Sequence, residues 1–312
     1  MIKLSHNKSI KVAIHNFNHC STVCGLNNGS LLAWYSGKAE CLDDQSVCIL
    51  FINKDTQKQT NKIIKIGNKT GNPVLISNDN SIKLIYSKFE PCEEIKRLTD
   101  KWKYCSTWMQ NISIINEEIK LTEKPICIAK SNKHYLGRCN PITYQNKMLL
   151  PLYDELNRKG VIVEVNENSI SPIGEIGDHM IQPTLWEENE KLHSLSRNFG
   201  NYKSFSQYSY SKDGGKTWSK PISSSILNNN SSLHVIRYNK ENFVIWNNTS
   251  GKYRRNMVIG KLTTKNGSPC AKPLQILNSD NGSYPSMHAT KNKLITSFTS
   301  KRSIQYDEWT TG

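Results

Sequence analysis

The stretch Ser211-Lys212-Asp213-Gly214-Gly215-Lys216-Thr217-Trp218 decides how the rest of the chain reads. Asp213 followed by two glycines favours a tight turn with left-handed backbone, and Trp218 supplies an anchor for that turn on an apolar surface. The run reads as a hairpin connection between two outer strands. It speaks about folding, so the chemistry has to be sought elsewhere in the chain.

Working outward from that hairpin, one phrase recurs: a polar turn, a short apolar strand, a loop, then further strands. The turns lie at 27–29, 78–80, 145–147, 188–190, 239–242 and 291–293, and the strands that follow at 31–35, 82–86, 148–153, 192–196, 243–246 and 294–298. With Gly29, Asn80, Asn146, Asn189, Glu241 and Asn292 as markers, the spacings are 51, 66, 43, 52 and 51 residues. A period near 50 in a strand-rich chain predicts propeller blades. The fold expected is all-β, a six-bladed propeller occupying residues 1–312 with no domain boundary.

A second repeat lies about seven to ten residues before each turn: His19-Cys20-Ser21-Thr22, Gly71-Asn72-Pro73, Cys139-Asn140-Pro141, Ile181-Gln182-Pro183, Asn228-Asn229-Asn230-Ser231 and Tyr284-Pro285-Ser286. Proline has no N–H to give to a central strand, so each is expected to be a rigid loop leading into an inner strand. Such loops would ring one mouth of the central channel. The far ends of the following strands, with Lys38, Glu40, Asp154, Glu155, Arg197, Asn247, Asn248 and Arg302, are expected near the same mouth.

Lysine and arginine number 41 against 26 acidic residues, a net charge of +15. The basic residues are scattered, and the densest stretch, 54–69, has no interleaved aromatics for stacking bases. Nucleic acid is therefore not an expected partner; anionic glycans and lipids are. The nine cysteines fit no paired metal-binding spacing and read as free thiols, so no metal and no cofactor are expected. The first fifteen residues contain no unbroken apolar segment, and no apolar run of about 18 residues follows, which predicts neither a signal peptide nor a membrane span. The expected location is the cytoplasm or the inner face of a membrane. Acting there on surface sugars would call for a membrane-protein partner.

The stretch 211–218 coincides with the Asp-box of sialidases and other propellers. Together with Asn72-Pro73, Leu149-Leu150-Pro151-Leu152-Tyr153-Asp154-Glu155, Gln182-Pro183-Thr184, Asn229-Asn230-Ser231 and Tyr284-Pro285-Ser286, in that order and at blade spacing, it makes the chain resemble the sialidase (neuraminidase) superfamily, bacterial sialidase-like proteins above all. A sialidase substrate carries a carboxylate on its anomeric carbon, which planar guanidinium groups hold by paired, charge-assisted hydrogen bonds. A neutral tyrosine is the better nucleophile at that crowded, negatively charged carbon, a departure from the two-carboxylate scheme.

By this resemblance Tyr284 is the nucleophile and Asp44, with Asp43 in reserve, the acid/base. Arg197 and Arg254 clamp the carboxylate, with Arg255 an alternative to its neighbour. Two positions depart from the pattern: His19 stands where the family has its first arginine, and Gln182 where it has the glutamate that assists the tyrosine. An amide is no base at neutral pH, so another acid is needed, with Glu155, Asp154, Glu40 and Glu175 available. Glu155 is the expected third catalytic residue; Asn72, Arg138, Asn230 and His19 are expected as further polar groups around the substrate. The function implied is an exo-acting glycosidase that removes a terminal acidic sugar, sialic acid or a related ulosonic acid such as Kdo, from a glycan or lipopolysaccharide. A uronate lyase using His19 and Tyr284, another glycosidase, and a carbohydrate-binding propeller without catalysis are the alternatives.

Overall fold

The computed structural model describes residues 4–54, 62–78, 81–199, 204–251, 253–265 and 267–311. Six antiparallel sheets, each of four or five strands, follow one another along the chain as the blades of a propeller. Their innermost strands are Phe17–Leu26, Thr70–Asn78, Tyr135–Gly137 with Ile142–Tyr144, Met180–Glu188, His234–Tyr238 and Gly282–Ala289. The second strands are buried through their centres, and Gly29–Gly37 along its whole length, because neighbouring blades cover both faces. That sandwiching explains why they read as continuous apolar runs rather than alternating ones.

The core is divided into wedges between neighbouring blades. Trp34, Leu50, Ile304 and Tyr306 pack together between the first blade and the last, and Trp186, Leu195, Val244 and Trp246 between the fourth and fifth. Each such side chain contributes about 1.5–3 kcal/mol on burial. The ring is closed by hydrogen bonds as well as packing: Leu4–Val12 pairs antiparallel with Ser303–Thr311, so the last blade takes its outer strand from the other end of the chain. Nothing in the blade repeat announced this strand, since it belongs to no repeat of its own sequence neighbourhood.

The long spacing of 66 residues has a local cause in the second blade. A 3-10 segment, Leu98–Tyr104, is inserted between its second and third strands, and an extra short strand, Glu118–Leu121, lies further on. Of the turn markers, Asn80 lies outside the described residues.

Of the six expected rigid loops, those at 139–141 and 228–231 lie outside the strands, and the other four are instead bulges inside the inner strands. Register shifts fall between His19 and Thr22, Gly71 and Val74, Ile181 and Thr184, and Ser283 and Ser286, with paired strand on either side. At their centres Cys20, Asn72, Gln182 and Tyr284 all have left-handed backbone, with φ of 56°, 45°, 53° and 52°, and Asn230 at the matching place in the fifth blade has 61°. A proline after the bulged residue is tolerated because its missing N–H faces no ladder partner there. A left-handed non-glycine residue costs on the order of 1–3 kcal/mol, and the repetition of that cost around one mouth marks where backbone has been shaped for a purpose.

The 211–218 turn joins the third strand of the fourth blade, Phe205–Ser211, to its fourth, Ile222–Leu227. The Asp213 carboxylate accepts from the Thr217 N–H at 2.9 Å and from the Ser211 hydroxyl at 2.8 Å, while the Trp218 indole donates to the Gly215 carbonyl at 2.9 Å. Trp218 packs against the core shared by the third and fourth blades, as Ile142 and Ile173 do. Gly174 must be glycine for this contact, since a Cβ there would lie 2.2 Å from the Gly215 oxygen. The turn is thus a clasp between blades.

Hydrogen bonds from Thr217 hold the Asp213 carboxyl down at about 2, against about 3.9 for a free aspartate. A depressed carboxyl stabilises the fold above its unfolded value, and the contribution is lost as pH falls toward its folded one. Asp213→Ala is expected to lower the melting temperature by a few degrees at pH 7. The gap from wild type should narrow between about pH 4 and pH 2; a gap independent of pH would refute this account of the clasp.

Candidate functional site

The bulged inner strands meet at a cavity of about 320 Å³. Tyr284, Asn72, Gln182, Arg197 and Glu155 line it, joined by Tyr35, Glu40, Tyr153 and, from the second-blade insertion, Thr99, Asp100, Trp102 and Lys103. Arg97, Arg158, Ile181 and Phe199 complete the wall. The left-handed turns matter because they aim consecutive blade residues at one point.

Arg197 is the centre of the polar wall. Its Nε donates to the Asn230 side-chain oxygen at 2.8 Å, and its Nη1 to the Gln182 oxygen at 3.0 Å and the Tyr284 hydroxyl at 3.5 Å. Gln182 in turn donates to the Tyr153 hydroxyl at 3.3 Å, as does Asn72. Arg254 reaches the same place from the fifth blade, its guanidinium carbon 4.8 Å from the centre of the Tyr284 ring. Neither Arg197 nor Arg254 has a carboxylate ion-pair partner among the described residues. Two cations held without counter-ions around one phenol create a demand for an anionic ligand.

Burial pushes the Tyr284 phenol up, but Arg254 and then Arg197 outweigh it and bring the group below the ordinary tyrosine range. The Glu155 carboxyl moves the other way: burial raises it, against the pull of Arg197, Arg158 and Lys103. A phenol made more acidic and a carboxyl made less acidic share one cavity, the divergence expected of a nucleophile and a proton donor. Glu40 is fixed at the same wall, its Oε1 accepting from the Tyr35 hydroxyl and the Trp102 indole, both at 3.2 Å.

The other expected site residues fall in different places. His19 packs edge-on against Tyr284, ring centres 4.4 Å apart, and burial together with the charges of Arg254 and Arg138 keeps it well below its ordinary value and hence neutral. Arg138 is 1% exposed and all three of its nitrogens are used: Nε on Ser232 at 3.1 Å, Nη1 on the Ser21 carbonyl at 3.0 Å, Nη2 on the Pro285 carbonyl at 2.6 Å. It ties the bulges of the first and sixth blades, and the segment leading into the fifth blade's inner strand, to the third blade, and is not a cavity-lining side chain. Asp44 is not brought to the cavity; its carboxylate closes the loop after the second strand by accepting from the Lys38 N–H at 2.9 Å. Asp43, its reserve, is paired with Lys101 and Lys69. Arg255 turns outward onto the exposed Tyr253 ring, at 5.2 Å, so of the two neighbours Arg254 is the one at Tyr284. Among the described residues no group of three or more His, Cys, Asp or Glu is arranged to hold a metal ion.

Comparison with family models matches residues 29–296 to the BNR repeat-like domain. The chain belongs to that family. Its fold is that of the sialidases: it is similar to Trypanosoma rangeli sialidase in complex with the inhibitor DANA, with a TM-score of 0.70 at 12% identity over 97% of this chain and 60% of that one. It is also similar to the Hadza microbial sialidase Hz136, TM-score 0.74, 9% identity, 94% of this chain and 65% of that one, and to the phage phi92 endosialidase, TM-score 0.62, 9% identity, 97% and 68%. The chain therefore spans about three fifths of the length of the trypanosomal enzyme. No curated protein matches by sequence.

Within this sialidase-like propeller, sequence reading missed the wall built by the second-blade insertion: Arg97, Trp102 and Lys103. It also passed over Arg158 and Phe199, the guanidinium carbon of the one lying 4.1 Å from the phenyl centre of the other. The 66-residue spacing was the available signal for the insertion, because extra chain in one blade has to project from the repeat. Among the described residues no helix is long and apolar enough to cross a membrane.

Proposed function

We propose that this propeller is an exo-acting glycosidase that releases a terminal acidic sugar, sialic acid or a related ulosonic acid such as Kdo, from a glycan or lipopolysaccharide. The observation that carries the reading is the pair of guanidinium groups without counter-ions, Arg197 and Arg254, placed on a tyrosine whose phenol they make more acidic. The substrate carboxylate takes the free faces of the two arginines. Tyr284, its proton lost to solvent, then attacks the anomeric carbon as the phenolate that the two cations favour: a Tyr–carbon bond forms, the glycosidic carbon–oxygen bond breaks, and the Glu155 proton goes to the leaving oxygen. In the second half Glu155, now a carboxylate, takes a proton from water, whose oxygen displaces the phenolate. Two inversions give net retention.

The amide at position 182 fits this scheme in a different way from a base. A carboxylate at that place, 3.0 Å from Arg197, would neutralise the guanidinium, whereas the amide oxygen fixes its direction and leaves its charge in the cavity. The phenol is then activated by two cations rather than by a neighbouring carboxylate. Purified protein should release free acid from a fluorogenic sialoside or from a Kdo-terminated oligosaccharide, with retained anomeric configuration by NMR. Folded protein that releases neither sugar would refute the reading.

A further inference from the structure

We propose that the cavity carries a second anion position, centred on Arg158, for a carboxylate or phosphate on the sugar to which the released residue is attached. The proposal rests on the acidic-sugar reading above and narrows its substrate to glycans with two neighbouring negative charges.

Arg158 follows a tight turn at the end of the third blade's second strand. Its N–H donates to the Asp154 carbonyl at 2.8 Å, and its φ of 60° turns the side chain back toward the mouth. Of the two acids that precede it, Asp154 is already occupied by the Asn157 N–H and side-chain amide, each at 2.8 Å, and Glu155 feels its charge without pairing with it. Arg158 has no carboxylate ion-pair partner among the described residues, and its guanidinium carbon lies 4.1 Å from the centre of the Phe199 ring. A guanidinium held against an aromatic ring has lost part of its freedom and can still receive a carboxylate or phosphate in paired, charge-assisted hydrogen bonds. Lys103 and Arg97 of the same wall differ in this respect, because Asp100 takes them up at 2.9 Å and 3.9 Å.

The placement of Arg158 selects the ligand. Arg197 lies 5.8 Å from the centre of the same Phe199 ring, so the cation assigned to the released sugar and the cation at the mouth share one phenyl. Two cations around one ring are within reach of neighbouring groups on one ligand. Glu155, the proton donor to the bond being cut, feels both arginines. Arg158 therefore stands on the leaving-group side, where a neutral sugar would leave its charge unanswered.

The test uses the Tyr284→Phe protein, so that ligands survive, and calorimetric binding of three probes for each acidic sugar. These are the methyl glycoside, the acidic homodisaccharide, and the sugar linked to a galactose phosphate; sialic acid and Kdo are each tried. One or both of the doubly charged probes should bind about tenfold or more tightly than the methyl glycoside, the worth of a charge-assisted pair. Arg158→Gln should abolish that gain while leaving methyl glycoside affinity within about twofold; the exposed position makes the variant safe to fold. A gain with the disaccharide alone identifies the anion as carboxylate, and with the phosphate alone as phosphate. Equal affinity for all three probes, or a gain that survives Arg158→Gln, overturns the inference and leaves the acidic-sugar reading standing. Binding of no probe overturns both.

Discussion

Replacing Tyr284 by phenylalanine is expected to reduce turnover of any acidic glycoside by about three orders of magnitude or more, with substrate binding and melting temperature close to wild type. The substitution removes one oxygen and little else. The ring keeps His19 edge-on at 4.4 Å, Arg254 at 4.8 Å and Arg138 at 5.4 Å, and only the 3.5 Å contact from Arg197 is lost. Because Pro285 holds the following peptide and its carbonyl is gripped by Arg138, the left-handed turn at 284 survives the change. A nucleophile is all-or-none, whereas a residue that merely packs beside proline is not. The measurement is single-turnover hydrolysis beside calorimetric binding of the same ligand. Residual turnover within tenfold of wild type would exclude Tyr284 as nucleophile, and wild-type protein that binds but never turns over would make this a carbohydrate-binding propeller.

The blades were legible because propeller geometry writes itself locally. Each blade needs a turn, a buried second strand and a polar entry, and these recur at Gly29, Asn146, Asn189, Glu241 and Asn292 whatever the loops between do. Two features escaped. The closing strand Leu4–Val12 gets its partner from the opposite end of the chain, and pairing over that separation leaves no periodic trace. The bulges were read as loops because proline argues against a ladder, and the sequence carries no sign that the residue before it will turn left-handed and let the strand resume.

At the site, the same distinction separates what sequence could reach from what it could not. Tyr284, Arg197, Gln182 and Asn72 occupy repeat positions, so counting blades brought them to one mouth. Asp44 rests on the resemblance alone, and its loop carboxylate is satisfied locally by the Lys38 N–H rather than turned to the cavity. Arg138 looked like a sugar-facing cation, yet three blades offer it carbonyl and hydroxyl oxygens in the channel, and a buried guanidinium goes where its donors are met. Arg158 and the insertion carrying Trp102 lie outside the repeat, and only tertiary packing shows which way they face.

Exchange of Arg254 for methionine separates the two jobs given to that cation, since methionine keeps the apolar stem and deletes the charge. Loss of one charge-assisted contact to the substrate carboxylate should weaken binding by about tenfold to a hundredfold. The second job is electrostatic. A cation favours the phenolate, and Arg254 is the larger of the two influences that bring Tyr284 below its ordinary range, so its removal lets burial push the phenol upward. Activity that needs an ionisable Tyr284 should then require a more alkaline pH, and the acidic limb of the pH–rate profile for kcat should move up relative to wild type. Arg197→Lys is the control: it keeps a positive charge but loses the fork that spans Asn230 and Gln182, so affinity should fall while the limb moves less. An Arg254→Met protein with weakened binding but an unmoved limb would confine Arg254 to holding the carboxylate, and activation of the phenol would have to come from elsewhere in the cavity, with Glu40 the nearest fixed base at the same wall.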